Sequence, residues 1–432
     1  MNVEEASNDN YLDEHSHNFF AFVLNMISTR IGWIFKTESV IMPGFLDTLT
    51  GSSAIRGFLP LISRIGQSLP QFVIAHRVTN LRRKKWAFFY SAILLCVPWG
   101  LLSLVLWLIP GIHPYLMVGV FLAMYTFHCV VYGANILLNG TLQGKLIEVR
   151  RRGRFLAIST SLGCLLAIIA AYLFLPKWLM NGGKSYALLF GATCLFFAVA
   201  AFAILLFREA EDSPDNELNK FRQFAASSVA LISSHANFRR LILVVSLYYV
   251  TMLLFPHYTV FGTRAMGIKQ SGFVQWLIAQ NFINAVGSVL MGLLADKYGN
   301  RIMLILLIFI GGCVPLIAIG LSKLPGNLGP QLYWLVFAFI GFTPVSGGII
   351  TNYTLEIAPA ERQPQYLGTL NVIQLLPLLT SPLIGWMIDR FSFQTVFIVC
   401  SMVIFVGALM TFRLEEPRDF VRNRTSRLTS CK

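Results

Sequence analysis

Four charged residues lie inside apolar stretches of this sequence, where charges are rare. Arg30, Lys36 and Glu38 lie in the first apolar stretch and Arg64 lies in the second. A charged side chain at the centre of a bilayer costs roughly 2.5–3.5 kcal/mol on insertion scales, so each such residue is a functional-site candidate. A carboxylate near an arginine can bind and release a proton, and several cations together can bind an anion. The sequence therefore predicts ionic chemistry within an apolar chain.

Helical geometry restricts which of these charges can face one another. On a regular helix Arg30 and Glu38 lie about 80° apart, whereas Lys36 and Glu38 lie about 160° apart. Lys36 and Glu38 can face one cavity only if the helix unwinds. We therefore expect Glu38 and Arg64 to face the central pathway or each other, and Lys36 to extend towards the membrane surface or to pair elsewhere. A purely structural ion pair between Glu38 and Arg64 is the alternative.

The second half of the chain carries amides where the first half carries charges. The members of each pair lie about 60° apart on one helix, so both could bind a polar substrate. Such amides also join helices by hydrogen bonds, and this structural role is the alternative. The residues are Asn281 and Asn284 in one apolar stretch and Asn371 and Gln374 in another.

The composition identifies the elements that must position these groups as membrane helices. Of the 432 residues 56% are hydrophobic and 12% are charged, and the mean hydropathy is +0.65. Soluble proteins have about 25% charged residues. The net charge of +14 does not indicate nucleic-acid binding, because the basic residues occupy short breaks between apolar stretches. We expect the lipid bilayer as partner and no nucleic acid.

Twelve stretches are long enough to span a bilayer, which needs about 20 apolar residues. The predicted fold class is an all-α membrane protein with twelve transmembrane helices in two six-helix bundles. The predicted spans lie near residues 22–46, 53–75, 86–109, 115–140, 155–176, 185–207, 240–262, 272–295, 301–322, 331–355, 366–388 and 393–412. The predicted domains are an N-terminal tail 1–17, a bundle 18–207, a linker 208–239 with an amphipathic helix at 221–232, a bundle 240–412 and a tail 413–432.

The distribution of basic residues predicts the orientation. Lys and Arg in the breaks on one side outnumber those on the other by about three to one. The poorer side holds Arg56, Lys177, Lys184, Arg264, Lys269, Lys323 and Arg390. Residues 1–17 are acidic and polar, unlike a cleavable signal peptide. We expect an inner cell membrane protein, monomeric, with both termini cytoplasmic.

No residue pattern predicts an enzyme, a metal site or a cofactor. The sequence contains no Gly-rich phosphate loop followed by Lys-Ser/Thr, and its histidines are scattered. Six of the seven cysteines lie within apolar stretches, without CxxC or Cys/His spacing. We expect these cysteines to be small buried side chains.

Three short matches relate the two halves of the sequence in the same order. Asn18-Phe19 corresponds to Asn237-Phe238, and two further matches follow. The separations are all about 210 to 220 residues, as expected of a duplicated six-helix unit. The further matches are Ala75-His76-Arg77 with Ala295-Asp296-Lys297, and Phe155-Leu156-Ala157 with Tyr366-Leu367-Gly368.

The break between the eighth and ninth spans carries a recognisable motif. The run from Gly292 to Arg301, GLLADKYGNR, resembles the G-x-L-a-D-r-x-G-r-r/k loop of the major facilitator superfamily. The resemblance implies a gating loop. In it Gly292 allows two helices to approach, Asp296 accepts hydrogen bonds from a helix N-terminus, and Gly299 permits a tight turn. Arg301 would pair with a carboxylate when the cytoplasmic side is closed.

Two departures from this family's patterns bear on function. The fifth span lacks the Gly-Pro pair of drug/proton antiporters. The arginine that many members carry in the fourth span is absent, and His128 lies near its position. Both departures argue against drug efflux. His128 joins Arg30, Glu38 and Arg64 as a candidate for proton coupling or for the substrate pathway.

The resemblance implies a secondary transporter that moves a small molecule by alternating access. Glu38 is the candidate for proton coupling, and uniport is the alternative. Three buried cations against one carboxylate in the first half favour an anionic or amphipathic substrate. Two other classes are left open: a non-transporting sensor or assembly factor on the same fold, and a membrane enzyme that acts on lipid.

Overall fold

A computed structural model describes residues 3–109, 111–179, 184–212, 231–359 and 362–416. The described chain is helical and contains no strand. The predicted amphipathic helix at 221–232 falls almost entirely outside the described residues. The helices of the first half are α1 (Val3–Ile34), α2 (Ile41–Leu49), α3 (Ser53–Thr79), α4 (Lys84–Leu108), α5 (Pro114–Leu146), α6 (Val149–Leu179) and α7 (Ser185–Ile204).

The second half has shorter and more interrupted helices. Several predicted spans consist of two or three helices separated by single turns. The helices are α8 (Ala236–Tyr248), α9 (Val250–Met266), α10 (Phe273–Tyr298), α11 (Asn300–Ser322), α12 (Leu328–Leu332), α13 (Trp334–Ile340), α14 (Thr343–Ile357), α15 (Gln363–Ile373), α16 (Leu375–Leu378), α17 (Ser381–Arg390) and α18 (Phe393–Met410).

Ten segments of the described chain are long and apolar enough to cross a membrane. Lipid offers no hydrogen-bond partners, so these segments must satisfy their backbone groups internally, as helices do. They are Lys84–Leu108, Pro114–Leu146, Arg154–Leu179, Ser185–Ile204, Ala236–Met266, Gln270–Tyr298, Asn300–Ser322, Leu328–Ile357, Gln365–Arg390 and Phe393–Arg413. The predicted all-α membrane fold is confirmed, and ten of its twelve predicted spans meet this criterion.

The other two predicted spans correspond to α1–α2 and to α3. The first was predicted as one continuous helix over 22–46, and this was wrong, because α1 ends at Ile34 and α2 begins at Ile41. Helix α3 carries Arg56, Arg64 and Arg77 among polar residues. The two spans that do not meet the criterion are therefore the ones that hold the charged candidate residues.

Two compact units divide the chain, and their boundary cuts two helices. One unit comprises Met1–Gly51, Ile62–Asn219 and Lys269–Ile278, and the other comprises Ser52–Leu61, Lys220–Ile268 and Ala279–Lys432. The start of α3 therefore belongs with the second half of the sequence, and the start of α10 belongs with the first.

Each unit has its own apolar core. In the first unit Phe22 stacks on Phe207 with ring centroids 4.2 Å apart and packs edge-on against Phe155. In the second unit Phe238 packs on Tyr366 with centroids 4.6 Å apart. Large apolar side chains on the outside, such as Leu173 and Leu293, are exposed, as is normal for helices that face lipid.

Acidic residues that follow α7 fasten the start of α4 and the end of α5. The Glu209 carboxylate accepts hydrogen bonds from the backbone N–H groups of Lys84 (3.0 Å) and Lys85 (2.7 Å) and so caps α4. Lys145 at the end of α5 donates to Glu209 and Asp212, each at 2.9 Å, and Lys84 also pairs with Asp212. Burial acts to raise the pKa of Asp212, but the hydrogen bonds from the two lysines outweigh it, so the pKa lies below its usual value.

Candidate functional site

The break between α1 and α2 lies at residues 35–40, inside an apolar stretch. Pro43 explains it locally, because proline has no N–H to donate to the carbonyl of Ser39 and its ring would clash there. The freed backbone finds other partners. The N–H of Lys36 donates to the Trp33 carbonyl (3.2 Å), and the N–H of Ile41 donates to the Thr37 hydroxyl (3.2 Å). Lys36 and Glu38 therefore lie on non-helical backbone.

Lys36 is completely buried. Its Nζ lies 3.2 Å from the ring centroid of Trp33 and 5.2 Å from that of Trp99, and it makes no hydrogen bond. The expectation that Lys36 extends towards the membrane surface or pairs elsewhere was wrong. It assumed a regular helix, and the unwound backbone removes the 160° separation, so the charges of Lys36 and Glu38 lie close enough to attract each other.

Glu38 is half-buried and is tied to α3. The Ser63 hydroxyl donates to Glu38 Oε1 at 3.0 Å, and the Gln67 amide donates to that hydroxyl at 2.7 Å. The Tyr125 phenol lies near Glu38 and Ser63, without a hydrogen bond of normal geometry. The carboxylate thus lies where the break, α3 and α5 meet.

Tyr132 on α5 brings the other predicted charges together. The charges of Glu38, Arg30 and Arg64 all act on its phenol, and its ring centroid lies 5.0 Å from that of Trp33. Arg30 and Arg64 are both half-buried. We call Arg30, Trp33, Lys36, Glu38, Arg64, Trp99 and Tyr132 the charged cluster.

Arg30 is held against α6. Its Nη1 lies 2.8 Å from the Cys164 sulfur, and its side chain covers Gly163, where an added Cβ would lie 2.9 Å from the arginine Cδ. The glycine therefore leaves room for the arginine stem. Arg30 reaches the charged cluster from the α6 side.

His128 contributes to the aromatic wall behind Lys36. Its Nδ1 accepts a hydrogen bond from the Trp99 indole N–H at 3.0 Å, so Nδ1 carries no proton in this arrangement. The imidazole also stacks on Tyr132 and Phe197. The structure therefore brings this predicted residue to the charged cluster.

The predicted amides of the second half lie in different surroundings. Gln374 is buried in the turn between α15 and α16 and accepts a hydrogen bond from the Tyr249 hydroxyl at 2.6 Å. It therefore joins two interrupted spans, as the structural alternative proposed. Asn281 and Asn284 are half-buried on α10, and Asn371 is exposed on α15.

The predicted gating loop ends α10 and begins α11. Gly299 adopts a φ of 91°, which favours glycine, and the Glu416 carboxylate lies against it. Asp296 is exposed in the last turn of α10. Arg301 donates to the Phe412 carbonyl at 2.8 Å. The expected close helix approach at Gly292 was wrong for this structure, since nothing lies within 4 Å of an added Cβ there.

Sequence reasoning missed a second polar group, within the second unit. The Asp389 carboxylate at the end of α17 accepts hydrogen bonds from the backbone N–H groups of Ser53 (2.8 Å) and Ala54 (3.2 Å), so it caps α3. Arg56 was counted among the basic residues on the side poorer in Lys and Arg, and the structure shows it completely buried. His257 is also buried, within electrostatic reach of Arg56 and Asp389.

Two glycines allow the close contact between α3 and α17. An added Cβ at Gly385 would lie 2.2 Å from the Ser53 carbonyl oxygen, and one at Gly57 would lie 2.5 Å from the Ser381 carbonyl oxygen. The sequence did contain a signal for this contact. An acidic residue, Asp389, follows a glycine near the end of one predicted span, and serines lie at the start of another. The start of α3 therefore packs closely against the backbone of α17.

Among the described residues no group of His, Cys, Asp and Glu could hold a metal ion. The described helices and their ten membrane-length apolar segments define a polytopic α-helical membrane protein. The Major Facilitator Superfamily profile matches residues 19–377 and 270–429. The chain belongs to the Major Facilitator Superfamily, as its loop motif predicted.

Individual relatives resemble the chain either in sequence over part of its length or in fold. The multi-drug resistance efflux pump PmrA of Streptococcus pneumoniae is 32% identical over 136 residues, which cover 29% of this chain and 31% of the pump. The match thus spans less than a third of that relative.

Solved structures of transporters share the fold over most of their length. A mutant of the nucleoside transporter NupG has a TM-score of 0.72 at 12% identity, covering 92% of this chain and 100% of that one. The inward-open xylose transporter XylE from E. coli gives 0.66 at 14%, covering 91% and 96%. An inward-facing bacterial homologue of the human lysosomal transporter Spinster gives 0.64 at 13%, covering 95% and 98%.

Proposed function

We propose that this secondary transporter moves a small anionic or amphipathic molecule by alternating access, with Glu38 as the proton-coupling residue. The observation that carries the proposal is the position of Glu38. It lies half-buried at the break of the first span, hydrogen-bonded to Ser63 and attracted to Lys36. One protein of similar fold is a D-xylose-proton symporter, and we propose proton coupling for this chain by analogy with it.

The physical reason lies in two opposing effects on the carboxylate. Loss of water favours the protonated form, whereas nearby cations favour the charged form. Opening the cluster to one side of the membrane changes the first effect more than the second. Because Glu38 is bonded to α3 through Ser63 and Gln67, a change in its charge would also change the contact between the break and α3.

We infer that the contact between Asp389 and the start of α3 changes during transport. A carboxylate that caps α3 only while Ser53 lies against α17 would stabilise one conformation and lose its partners in the other. Its two glycines make the contact tight, so small movements would break it completely.

For orientation we propose that both termini are cytoplasmic in an inner cell membrane and that the protein is monomeric. The basis is the excess of Lys and Arg on one side. A periplasm-active reporter fused after Lys432 should give no signal, and strong activity would reverse the assignment.

The coupling proposal is tested in proteoliposomes. A panel of sugars, nucleosides, peptides and organic anions identifies a substrate, and uptake is then measured with and without a pH gradient. Glu38→Gln should abolish gradient-driven uptake while substrate exchange continues, because a permanently neutral side chain cannot carry the proton. Glu38→Asp is the matched control and should retain part of the driven uptake.

Three results would contradict this proposal in different ways. Gradient-driven uptake by Glu38→Gln would make the protein a uniporter or give the coupling to another residue. Loss of both activities, reproduced by Arg64→Ala, would assign Glu38 and Arg64 a folding role. Failure to transport any compound of the panel would favour a non-transporting protein on this fold.

A further inference from the structure

Lys36 is a buried cation that has no hydrogen-bond acceptor. Its ammonium group has three donors, no hydrogen bond and no exposure. A buried ammonium without hydrogen bonds is unfavourable, and an aromatic face offsets only part of the lost hydration. The two tryptophans therefore satisfy it only in part, and a further acceptor would lower its free energy.

The charges around Lys36 identify the missing acceptor as an anion. Arg30, Lys36 and Arg64 bring three positive charges to the cluster, and Glu38 is the carboxylate that acts on both Lys36 and Tyr132. Glu38 is already engaged by Ser63. A bound monoanion would reduce the remaining positive charge in a region of low dielectric, where unbalanced charge is costly.

The rings around these charges add a second requirement. Trp33 and Tyr132 lie edge to face with centroids 5.0 Å apart, and both are half-buried, as are Arg30, Glu38 and Arg64. The cluster thus has an accessible rim that is both aromatic and basic, with the Lys36 ammonium behind it. A flat apolar group can pack on these rings while an acid group meets the cations.

The backbone allows Lys36 to move towards that rim. Residues 35–40 are outside helix, and a change of side-chain torsions at Lys36 leaves its backbone hydrogen bond to the Trp33 carbonyl in place. In the structure the ammonium lies against the Trp33 ring, and an anion that reached the rim would attract it.

We propose that the transported substrate is an amphipathic organic monoanion, a carboxylate on a planar apolar body, and that Lys36 is its counter-ion. This rests on the proposed function, because it names the substrate class of the same site. Arg30 and Arg64 attract the anion to the rim, Lys36 binds its carboxylate, and Trp33 and Tyr132 pack against its apolar body.

An isosteric series of probes separates charge from shape. Benzoate, benzamide and benzamidinium share one outline and carry a negative charge, no charge and a positive charge. Thermal unfolding of the purified full chain in detergent is measured with each, and with the larger anions 2-naphthoate and indole-3-acetate. We expect the anions to raise the unfolding midpoint, with benzamide and benzamidinium giving little or no shift.

Three variants assign the effect to Lys36. Lys36→Met keeps the length of the side chain without its charge and should weaken binding of the anion at least about tenfold, as loss of a buried charged partner does. Lys36→Arg should retain part of the binding. Lys184→Met is the matched control, because Lys184 also lies over a tryptophan, Trp107 at 4.3 Å, but is exposed. It should leave the shift unchanged.

If Lys36→Met does not fold, the unmodified protein provides the test. The photoreactive anion 4-benzoylbenzoate should label the segment 30–40 or Tyr132, and benzoate should compete. Labelling elsewhere would overturn the proposal.

Three other results would also overturn it: no shift with any aromatic acid, an undiminished benzoate shift in Lys36→Met, or a stronger shift with benzamidinium. The last would make the tryptophan pair a site for organic cations that Lys36 occupies as a surrogate. Because these measurements use no gradient, their failure would leave proton-coupled transport of another substrate class through Glu38 intact.

Discussion

Asn18 holds both backbone groups of Arg208. Its side-chain amide donates to the Arg208 carbonyl at 2.9 Å, and its side-chain oxygen accepts from the Arg208 N–H at 2.8 Å. The two residues are 190 positions apart, and Asn18 is buried. Asn18 thereby joins α1, the first helix of the first half, to the segment that follows α7, the last helix of that half.

The second half repeats this arrangement, except that a tyrosine hydroxyl mediates one of the two contacts. Asn237 accepts from the Glu415 N–H at 3.1 Å, and the Tyr353 hydroxyl connects its amide (3.2 Å) to the Glu415 carbonyl (2.7 Å). The next acidic residue is also repeated, since Glu209 caps α4 and Glu416 lies at the start of α11 against Gly299. The repeated Asn-Phe pairs of the sequence thus mark equivalent fastenings.

Replacing Asn18 should destabilise the first unit. Asn18→Ala removes both side-chain hydrogen bonds to the Arg208 backbone, each worth about 0.5–1.5 kcal/mol. The unfolding midpoint in detergent should fall by several degrees. Asn371→Ala, at an exposed amide, is the control and should change the midpoint little. Equal midpoints for the two variants would mean that water satisfies Arg208.

The environment of Asp212 predicts a dependence of stability on acid pH. Its pKa is lower in the folded chain than the usual 3.8, because Lys84 and Lys145 donate to it against the effect of burial. A depressed pKa stabilises the folded state above about pH 3.8, and this stabilisation is lost as the pH falls through the folded-state value.

Unfolding midpoints between neutral pH and pH 3 should therefore fall less for Asp212→Asn than for wild type. Glu211→Gln is the matched control, because Glu211 makes an exposed pair with Arg83 at 3.3 Å. It should follow the wild-type curve. An Asp212→Asn curve parallel to wild type would assign the acid sensitivity to other groups.

Gly385→Ala should open the contact between α3 and α17. The added methyl would lie 2.2 Å from the Ser53 carbonyl oxygen and 2.7 Å from the Ala54 Cα, both backbone atoms. A cysteine at Ser52, labelled with an impermeant maleimide and quantified by mass spectrometry, should then react several-fold faster. Gly320→Ala on α11, where nothing lies within 4 Å, should leave the rate unchanged. Equal labelling rates in both variants would argue against a movable contact here.

Asp296→Asn should impair cycling more than folding. Asp296 is exposed at the end of α10, so its charge contributes little to burial or packing. We expect normal expression and unfolding midpoint with a sharp fall in transport rate. Lys297→Gln, at the next exposed position, serves as control. Wild-type transport by Asp296→Asn would mean that the loop motif has no gating role in this chain.

Apolar periodicity and length were sufficient to predict the helices of the second half. Each of its six predicted spans overlaps an apolar segment of the described chain. The grouping of Glu38, Arg30 and Arg64 could also be predicted, because each is costly in an apolar stretch and such residues seek one another. His128 was found through the family pattern.

Contacts that depend on irregular backbone or on the meeting of distant segments could not be predicted. The position of Lys36 required knowing that Pro43 would break the helix rather than bend it. The burial of Arg56 required knowing that Asp389, more than 300 residues later, would cap α3. Gln374 could be recognised as helical glue only once its partner Tyr249 was known.

The low apolarity of α1–α2 and α3 has a consequence for biogenesis. Both segments precede the other described spans, yet their charges make them weaker insertion signals than the ten apolar segments that follow. The next span, Lys84–Leu108, is strongly apolar, and the basic run Arg82–Lys85 lies at its start. We expect this third segment to fix the orientation and to draw the first two into the membrane afterwards, so the charged residues proposed to serve transport would also delay insertion of the spans that carry them.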